Sequence, residues 1–427
     1  MPFDRTIEFP SDFVFGSATA AHQVEGNNVH NDWWAHEHAP ETNAIEPSGI
    51  ACDHYHRFAD DFRLLQSLGH PAHRLSIEWS RIEPQEGQIQ QGEIDHYRAV
   101  LNRLRELDIE PWVTLHHFTL PQWFARRGGF TRAENVIAFQ RFVERVARAY
   151  GDVVQHWCTI NEPTVHSELG HRFGYFPPRV FDEAVAADVL MNLFRAHTAA
   201  AEAVRAQARL TPSIGITLAV QAHEPYDPNA APDRDLAARR DAETNGVSLD
   251  ALRTGVFRYP GRAPVEIPGL QASSTFVGIQ YYSRSRYDAQ SGGPAPADLD
   301  RQLSQMGWEV YPEGFAPLLQ RAGATGLRVY VTENGMACDD DRIRVRYIAD
   351  HLTAVDDARR AGADVRGYFY WSAMDNFEWN FGYGPKFGLI AVDRTTLSRA
   401  PRPSAYFFAD IIRERRLTPE MVTRYTT

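Results

Sequence analysis

Two glutamates sit in short motifs of similar build. Thr159-Ile160-Asn161-Glu162-Pro163 and Val331-Thr332-Glu333-Asn334-Gly335 each set a carboxylate beside an asparagine, directly after an apolar run. Two carboxyls that face each other can divide one reaction between them. One attacks a carbon centre as nucleophile and the other protonates the leaving oxygen, a geometry that needs the pair about 5–5.5 Å apart. The acid needs a raised pKa, which burial and the partner's charge supply. Alone, each motif has a plainer reading: Glu before Pro as a solvated turn, and Asn-Gly as a turn pair. Together they match in residue type, in neighbour and in position after an apolar run.

The elements that would position them form a rhythm of short apolar runs alternating with amphipathic stretches. Eight candidate strands stand out: Phe13–Ala20, Ala72–Ile77, Pro111–His116, Val154–Ile160, Ile214–Val220, Phe276–Tyr281, Val329–Thr332 and Gly367–Trp371. They are short and apolar on both faces, as buried parallel strands are. Helical patterns lie between them. Phe58, Phe62 and Leu65 share one face before Gly69, and Val136, Phe139, Val143, Val146 and Tyr150 share another before Gly151. Eight such units predict one (β/α)₈ barrel over residues 1–427, with both glutamates at C-terminal strand ends, where barrels carry their chemistry. Strands four and seven are three apart on the ring, so the carboxyls can meet across its mouth. A doubly wound sheet is the alternative, but Phe15-Gly16-Ser17 is not the Gly-rich phosphate turn it would carry. Ala222–Asp235 and Ser283–Met306 read as long loops on the catalytic face.

Composition narrows the partners. The net charge of −11 argues against nucleic acid or an anionic membrane surface and suits a neutral substrate. Cys52, Cys158 and Cys338 are odd in number and widely spaced, which predicts no disulfide framework. Met1–Phe15 lacks a basic region followed by an apolar one, and no stretch reaches membrane-spanning length, so a reducing cytoplasm is expected. The pairs His54/His56 and His116/His117 raise the question of zinc. Their spacings point the rings apart, and neither a metal nor a cofactor is expected.

From Phe13-Val14-Phe15-Gly16-Ser17-Ala18-Thr19-Ala20 onward the chain resembles glycoside hydrolase family 1. The resemblance runs through Gln23-Val24-Glu25-Gly26, Asp53-His54-Tyr55-His56-Arg57, Arg74-Leu75-Ser76-Ile77-Glu78-Trp79 and His116-His117-Phe118-Thr119-Leu120-Pro121. It includes both glutamate motifs and ends with Trp371-Ser372-Ala373-Met374-Asp375-Asn376-Phe377-Glu378-Trp379 and Phe387-Gly388-Leu389. The resemblance implies a retaining β-glycosidase acting on terminal β-D-glycosides or oligosaccharides, with Glu333 as nucleophile and Glu162 as acid/base. It implies that Asn161 bonds the sugar 2-hydroxyl and that Arg74 and Tyr282 keep Glu333 ionised and oriented. Gln23, His117, Glu378 and Trp379 would grip the remaining hydroxyls, Trp371 would floor the site, and Trp308 would line the leaving-group side. Plainer roles remain open: a loop cap for Gln23, a structural ion pair for Arg74, core rings for Trp371 and Trp379, loop packing for Trp308.

Three positions depart from the family pattern. Gln280 stands where Asn is usual, which is expected to disturb the acid. Phe118 replaces Trp, and Thr119 replaces a frequent Asp. Glu378-Trp379 fits a neutral sugar, and a negative Glu378 would repel a sugar phosphate. The same two carboxylates could transfer the sugar to an alcohol or another sugar instead of water. A carbohydrate-binding protein without catalysis would need a broken pair, and both glutamates are present.

Overall fold

The computed structural model describes residues 3–427. Eight parallel strands close into a barrel: β1 (Val14–Ala18), β2 (Ala72–Ser76), β3 (Glu110–Thr114), β4 (His156–Asn161), β5 (Ser213–Ala219), β6 (Phe276–Gln280), β7 (Arg328–Asn334) and β8 (Val365–Trp371). Each pairs with its sequence neighbours, and β8 closes on β1. Every expected strand is present, with ends shifted by up to two residues.

One longer helix follows each strand on the outside: α1 (His54–Ser67), α2 (Gln91–Glu106), α3 (Val136–Tyr150), α4 (Glu183–Gln207), α5 (Val247–Thr254), α6 (Phe315–Gly323), α7 (Asp341–Arg360) and α8 (Pro403–Glu414). The stripes read from the sequence do the packing. On α3, Phe139, Val143, Val146 and Tyr150 are buried and Gly151 caps the end. On α1, Phe62 and Leu65 are buried.

The two segments expected as loops carry structure of their own. Ala222–Pro225 pairs in parallel with Arg284–Asp288, which pairs antiparallel with Gly293–Pro294. This small sheet resumes the β5–β6 pairing above the barrel rim, so one wall of the mouth stands taller. The sequence hid it because these strands are half-buried and polar. Arg284 holds the sheet: it bonds Glu309 at 2.6 Å and Glu224 at 2.8 Å, and lies over the Tyr311 ring.

The barrel interior is solid at its lower end. Trp112 of β3 stacks on His156 with ring centres 4.1 Å apart. Its edge meets Tyr330 of β7 at 4.8 Å, Phe369 of β8 at 5.0 Å and Phe276 of β6 at 5.4 Å. Aromatic pairs at such spacings add to their area burial. This layer sits under the site and joins strands that local contacts alone would not couple. Trp112→Ala should therefore destabilise the fold by about 3–5 kcal/mol, the usual result of emptying a buried indole site. Denaturant unfolding followed by tryptophan fluorescence checks this; a change below about 1 kcal/mol would mean the floor is dispensable.

Candidate active site

Both glutamates stand where the strand ladder breaks. The β4–β5 register shifts between Cys158 and Asn161, just before Glu162. The β7–β8 register shifts between Val331 and Asn334, and β6–β7 shifts opposite Glu333. Such irregularities re-aim side chains at barrel rims. Glu162 adopts the left-handed region at φ 45°, unusual for a residue with a Cβ, and Pro163 then starts a short helix. Its amide donates to the Thr217 carbonyl at 2.8 Å, which ties it to β5. Glu162 is thus buried at a strand end and is no solvated turn.

The Asn-Gly pair after Glu333 is no open turn either. Asn334 donates to the Tyr281 carbonyl at 2.6 Å and to the Tyr347 hydroxyl at 2.9 Å, and accepts from Tyr368 at 2.7 Å. A Cβ on Gly335 would lie 1.7 Å from the Trp371 carbonyl oxygen, so only glycine lets β7 and β8 approach there.

Beneath the glutamates lies a fully buried cation. Arg74 donates to Glu333 Oε1 at 2.5 Å, to Asn161 Oδ1 at 2.5 Å and to Thr114 Oγ1 at 3.0 Å. Tyr282 donates to the other Glu333 oxygen at 2.7 Å. Burial drives the Tyr282 phenol well above its ordinary pKa, so it remains a donor. Arg74 and Tyr282 therefore fix both oxygens of Glu333, as expected. Their pull on its pKa is smaller than the effect of burial, however, and the carboxyl sits above the ordinary range. Glu162 is pushed much further up, by burial first and then by the Glu333 charge. Among the described residues no group hydrogen-bonds its carboxyl. The proton thus belongs on Glu162 and the negative charge on Glu333.

The expected site residues come together around one cavity of about 320 Å³, within the usual range for small-molecule sites. Gln23, His117, Glu162, Gln280 and Tyr282 line it, with Trp308, Glu333, Trp371, Glu378 and Trp379. Asn161 and Arg74 lie just below the wall. Asn161 has its orientation set by three donors on Oδ1: Arg74, Gln280 at 2.8 Å and Thr217 at 3.1 Å. Its amide nitrogen lies 3.5 Å from Nε2 of His117. Gln280 therefore acts on Asn161, the residue next to Glu162, rather than on the Glu162 carboxyl itself.

Gln23 fastens a loop and also lines the cavity. Its nitrogen ties down the loop after β8 through the Phe377 carbonyl at 2.8 Å and Asn376 at 3.1 Å, while its oxygen is buried without a partner. His117 Nδ1 and Gln280 Oε1 are likewise buried and unpaired. Unsatisfied buried polar atoms are costly, and in a cavity they await ligand hydroxyls.

Trp371 lies parallel to His117 with ring centres 6.0 Å apart, and Trp379 packs on Trp33 at 4.5 Å and Phe118 at 5.3 Å. Both indoles are buried and still present a face to the cavity. Phe118 lines the cavity, whereas Thr119 donates to Glu78 at 2.9 Å and is absent from the wall. Trp308 stands half-exposed at the rim, 5.5 Å from the Tyr282 ring.

Glu378 differs from its expected charge. Burial, then the Glu333 charge, raises its pKa to about 8. It is mostly protonated at neutral pH, so repulsion by a negative Glu378 does not by itself argue against a sugar phosphate. Thr217 and Asn376 were not foreseen. Asn376 lies inside a quoted motif; Thr217 has no signal beyond an inward place on β5.

Of the paired histidines, only His117 lines the cavity among the described residues. His54 bonds Asp61 at 2.8 Å and His56 bonds Asp53 at 2.6 Å on the surface. His116 turns to Phe130 and His166, away from His117.

The family model for glycosyl hydrolase family 1 matches residues 5–417. Beta-glucosidase A of Acetivibrio thermocellus is 33% identical over 95% of this chain and 98% of its own length. The bifunctional beta-D-glucosidase/beta-D-fucosidase of Bifidobacterium breve is 33% identical over 93% of this chain and 97% of its own. The solved beta-glycosidase from Pyrococcus horikoshii superposes with a TM-score of 0.91 at 38% identity, covering 100% of this chain and 99% of that one. With its barrel, its paired glutamates and these likenesses, the chain belongs to glycosyl hydrolase family 1.

Proposed function

We propose that this protein is a retaining β-glycosidase in which Glu333 is the nucleophile and Glu162 the acid/base. The observation that carries this reading is the split between the two carboxyls. Glu333 is held at both oxygens by Arg74 and Tyr282, while Glu162 faces the cavity unbonded with its pKa raised. In the first step Glu333 attacks the anomeric carbon and the Glu162 proton goes to the departing oxygen. The resulting ester removes the Glu333 charge. That charge is, after burial, the largest cause that raises Glu162, so Glu162 becomes a stronger acid and stays ionised. It then takes a proton from water, which attacks the same face and regenerates Glu333 with retention. An alcohol in place of that water gives transglycosylation.

The glycone sits against Trp371. The buried Gln23 oxygen, His117 Nδ1 and the Asn161 amide nitrogen meet its hydroxyls, and a protonated Glu378 donates to one of them. Glucose, galactose or fucose in β linkage fits these groups. The substrate is small and neutral, and residues 1–427 act as one unit. Among the described residues no helix is long and apolar enough to cross a membrane. The three cysteines are free and buried, which suits a reducing cytoplasm.

Wild type should release nitrophenol from 4-nitrophenyl β-D-glucoside, and Glu333→Ala should lose nearly all turnover; equal rates in both would remove Glu333 from the mechanism. The profile of kcat/KM against pH should be a bell. Its acid limb reports ionisation of Glu333 and its alkaline limb loss of the Glu162 proton, both displaced upward from a free carboxyl near 4.3. Activity flat from acid to alkaline pH contradicts this. In Glu333→Gln the Glu162 pKa should fall, because a raising charge is gone; carboxyl NMR titration reads the shift, and an unchanged value would uncouple the pair. Glu378→Ser should alter the ratio of glucoside to galactoside to fucoside cleavage, and an unchanged profile would show that Glu378 does not select the glycone.

A further inference from the structure

The strand ladder is interrupted where Glu333 sits. Between Val331 and Asn334, β7 advances three residues while β8 advances two, from Tyr368 to Tyr370. On its other side β7 advances two residues, from Val331 to Glu333, while β6 advances one, from Ile279 to Gln280. An extra residue of this kind leaves backbone groups out of the ladder. Glu333 therefore stands on a bulge that regular pairing does not fix.

Asn334 ties this bulge from behind. Its side chain is fully buried and does not line the cavity. Its three bonds reach three elements: the Tyr281 carbonyl just past the end of β6, the Tyr368 hydroxyl of β8 and the Tyr347 hydroxyl of α7. Tyr368 donates to Oδ1, and Nδ2 gives its two hydrogens to Tyr281 and Tyr347, so the amide has one orientation only. The partners are themselves fixed. Tyr347 stacks on His351 with ring centres 3.8 Å apart. Tyr281 stacks on Phe315 at 4.7 Å and donates to the Tyr311 carbonyl at 2.6 Å.

The Tyr281 peptide joins this network to the site. Its amide donates to the Glu333 carbonyl at 3.2 Å, and its carbonyl accepts from Asn334. The next residue is Tyr282, whose hydroxyl holds the second oxygen of Glu333. One amide side chain thus fixes the backbone on both sides of the Tyr282–Glu333 bond.

Resting on the glycosidase reading, we infer that Asn334, held by Tyr347 and Tyr368, is a positioning residue that sets the Tyr282 hydroxyl against the Glu333 carboxyl without touching substrate. The Tyr282 bond lowers the Glu333 pKa against the larger upward effect of burial. Loosening that bond raises it.

Tyr368→Phe removes the donor on Asn334 Oδ1 with little change of shape. On 4-nitrophenyl β-D-glucoside the acid limb of kcat/KM should move up by about half a pH unit or more. The plateau kcat should fall about threefold or more, with KM within about twofold of wild type. Tyr347→Phe should move the limb the same way and serves if the first variant folds poorly. Added to Tyr282→Phe, Tyr368→Phe should move the limb less than half as far, because the bond it acts through is gone. Carboxyl NMR titration of Glu333 should show the same rise without any turnover. A limb and a titration unchanged in both phenylalanine variants, or full additivity with Tyr282→Phe, overturns the positioning role and leaves the glycosidase intact. Loss of folded protein with an unmoved limb also overturns it, since Asn334 then serves the fold alone. A rise by NMR with an unmoved limb supports the network and counts instead against Glu333 as the group whose ionisation turnover needs.

Discussion

The inner end of the cavity holds three buried carboxyls and one buried cation. Arg74 can balance one negative charge, and its shortest contacts decide which: it binds Glu333 directly and Asn161 beside it. Burial then keeps protons on the other two, Glu162 and Glu378. From this constraint the division of labour follows. The deprotonated carboxyl is the one whose oxygens are both held, so it points one way only. In the proposed mechanism the protonated one facing the cavity, Glu162, releases its proton to the substrate, and Glu378, with its pKa raised, donates a hydrogen bond. An ion pair this deep stabilises the fold little by itself, since desolvation offsets most of its attraction. Its value lies in fixing where charge resides before any ligand arrives.

The barrel supplies rigidity in a graded way. At the lower end, side chains from six strands fill the interior around Trp112. Midway, Arg74 links β2 to β3, β4 and β7 through Thr114, Asn161 and Glu333. Above the rim, the small sheet beyond β5 and β6 raises one side of the mouth.

The parts of this arrangement that the sequence made legible are those set by periodicity and residue type. Eight apolar runs located eight strands, and both glutamates fell at strand ends because an apolar run stops where the barrel opens. What stayed hidden depends on geometry rather than on composition. The register shifts beside Cys158 and Val331 leave no mark in the residues. Gly335 reads as half of a turn pair, whereas its cause is the Trp371 backbone, thirty-six positions away. Glu378 reads as a negative charge, and only burial next to Glu333 shows it neutral. Gln280 reads as a departure from the family pattern, but its bond to Asn161 depends on how β6 and β4 lie across β5.

Three residues around the cavity share an uncomfortable backbone: Glu162, Phe118 and Trp379 have φ values of 45°, 69° and 52°. A side chain in that region costs on the order of 1 kcal/mol against glycine or asparagine. For Glu162 no hydrogen bond of its carboxyl compensates. Under the role proposed for Glu162, glycine there would relax the turn only by removing the carboxyl, so heat tolerance and turnover pull on this one position in opposite directions.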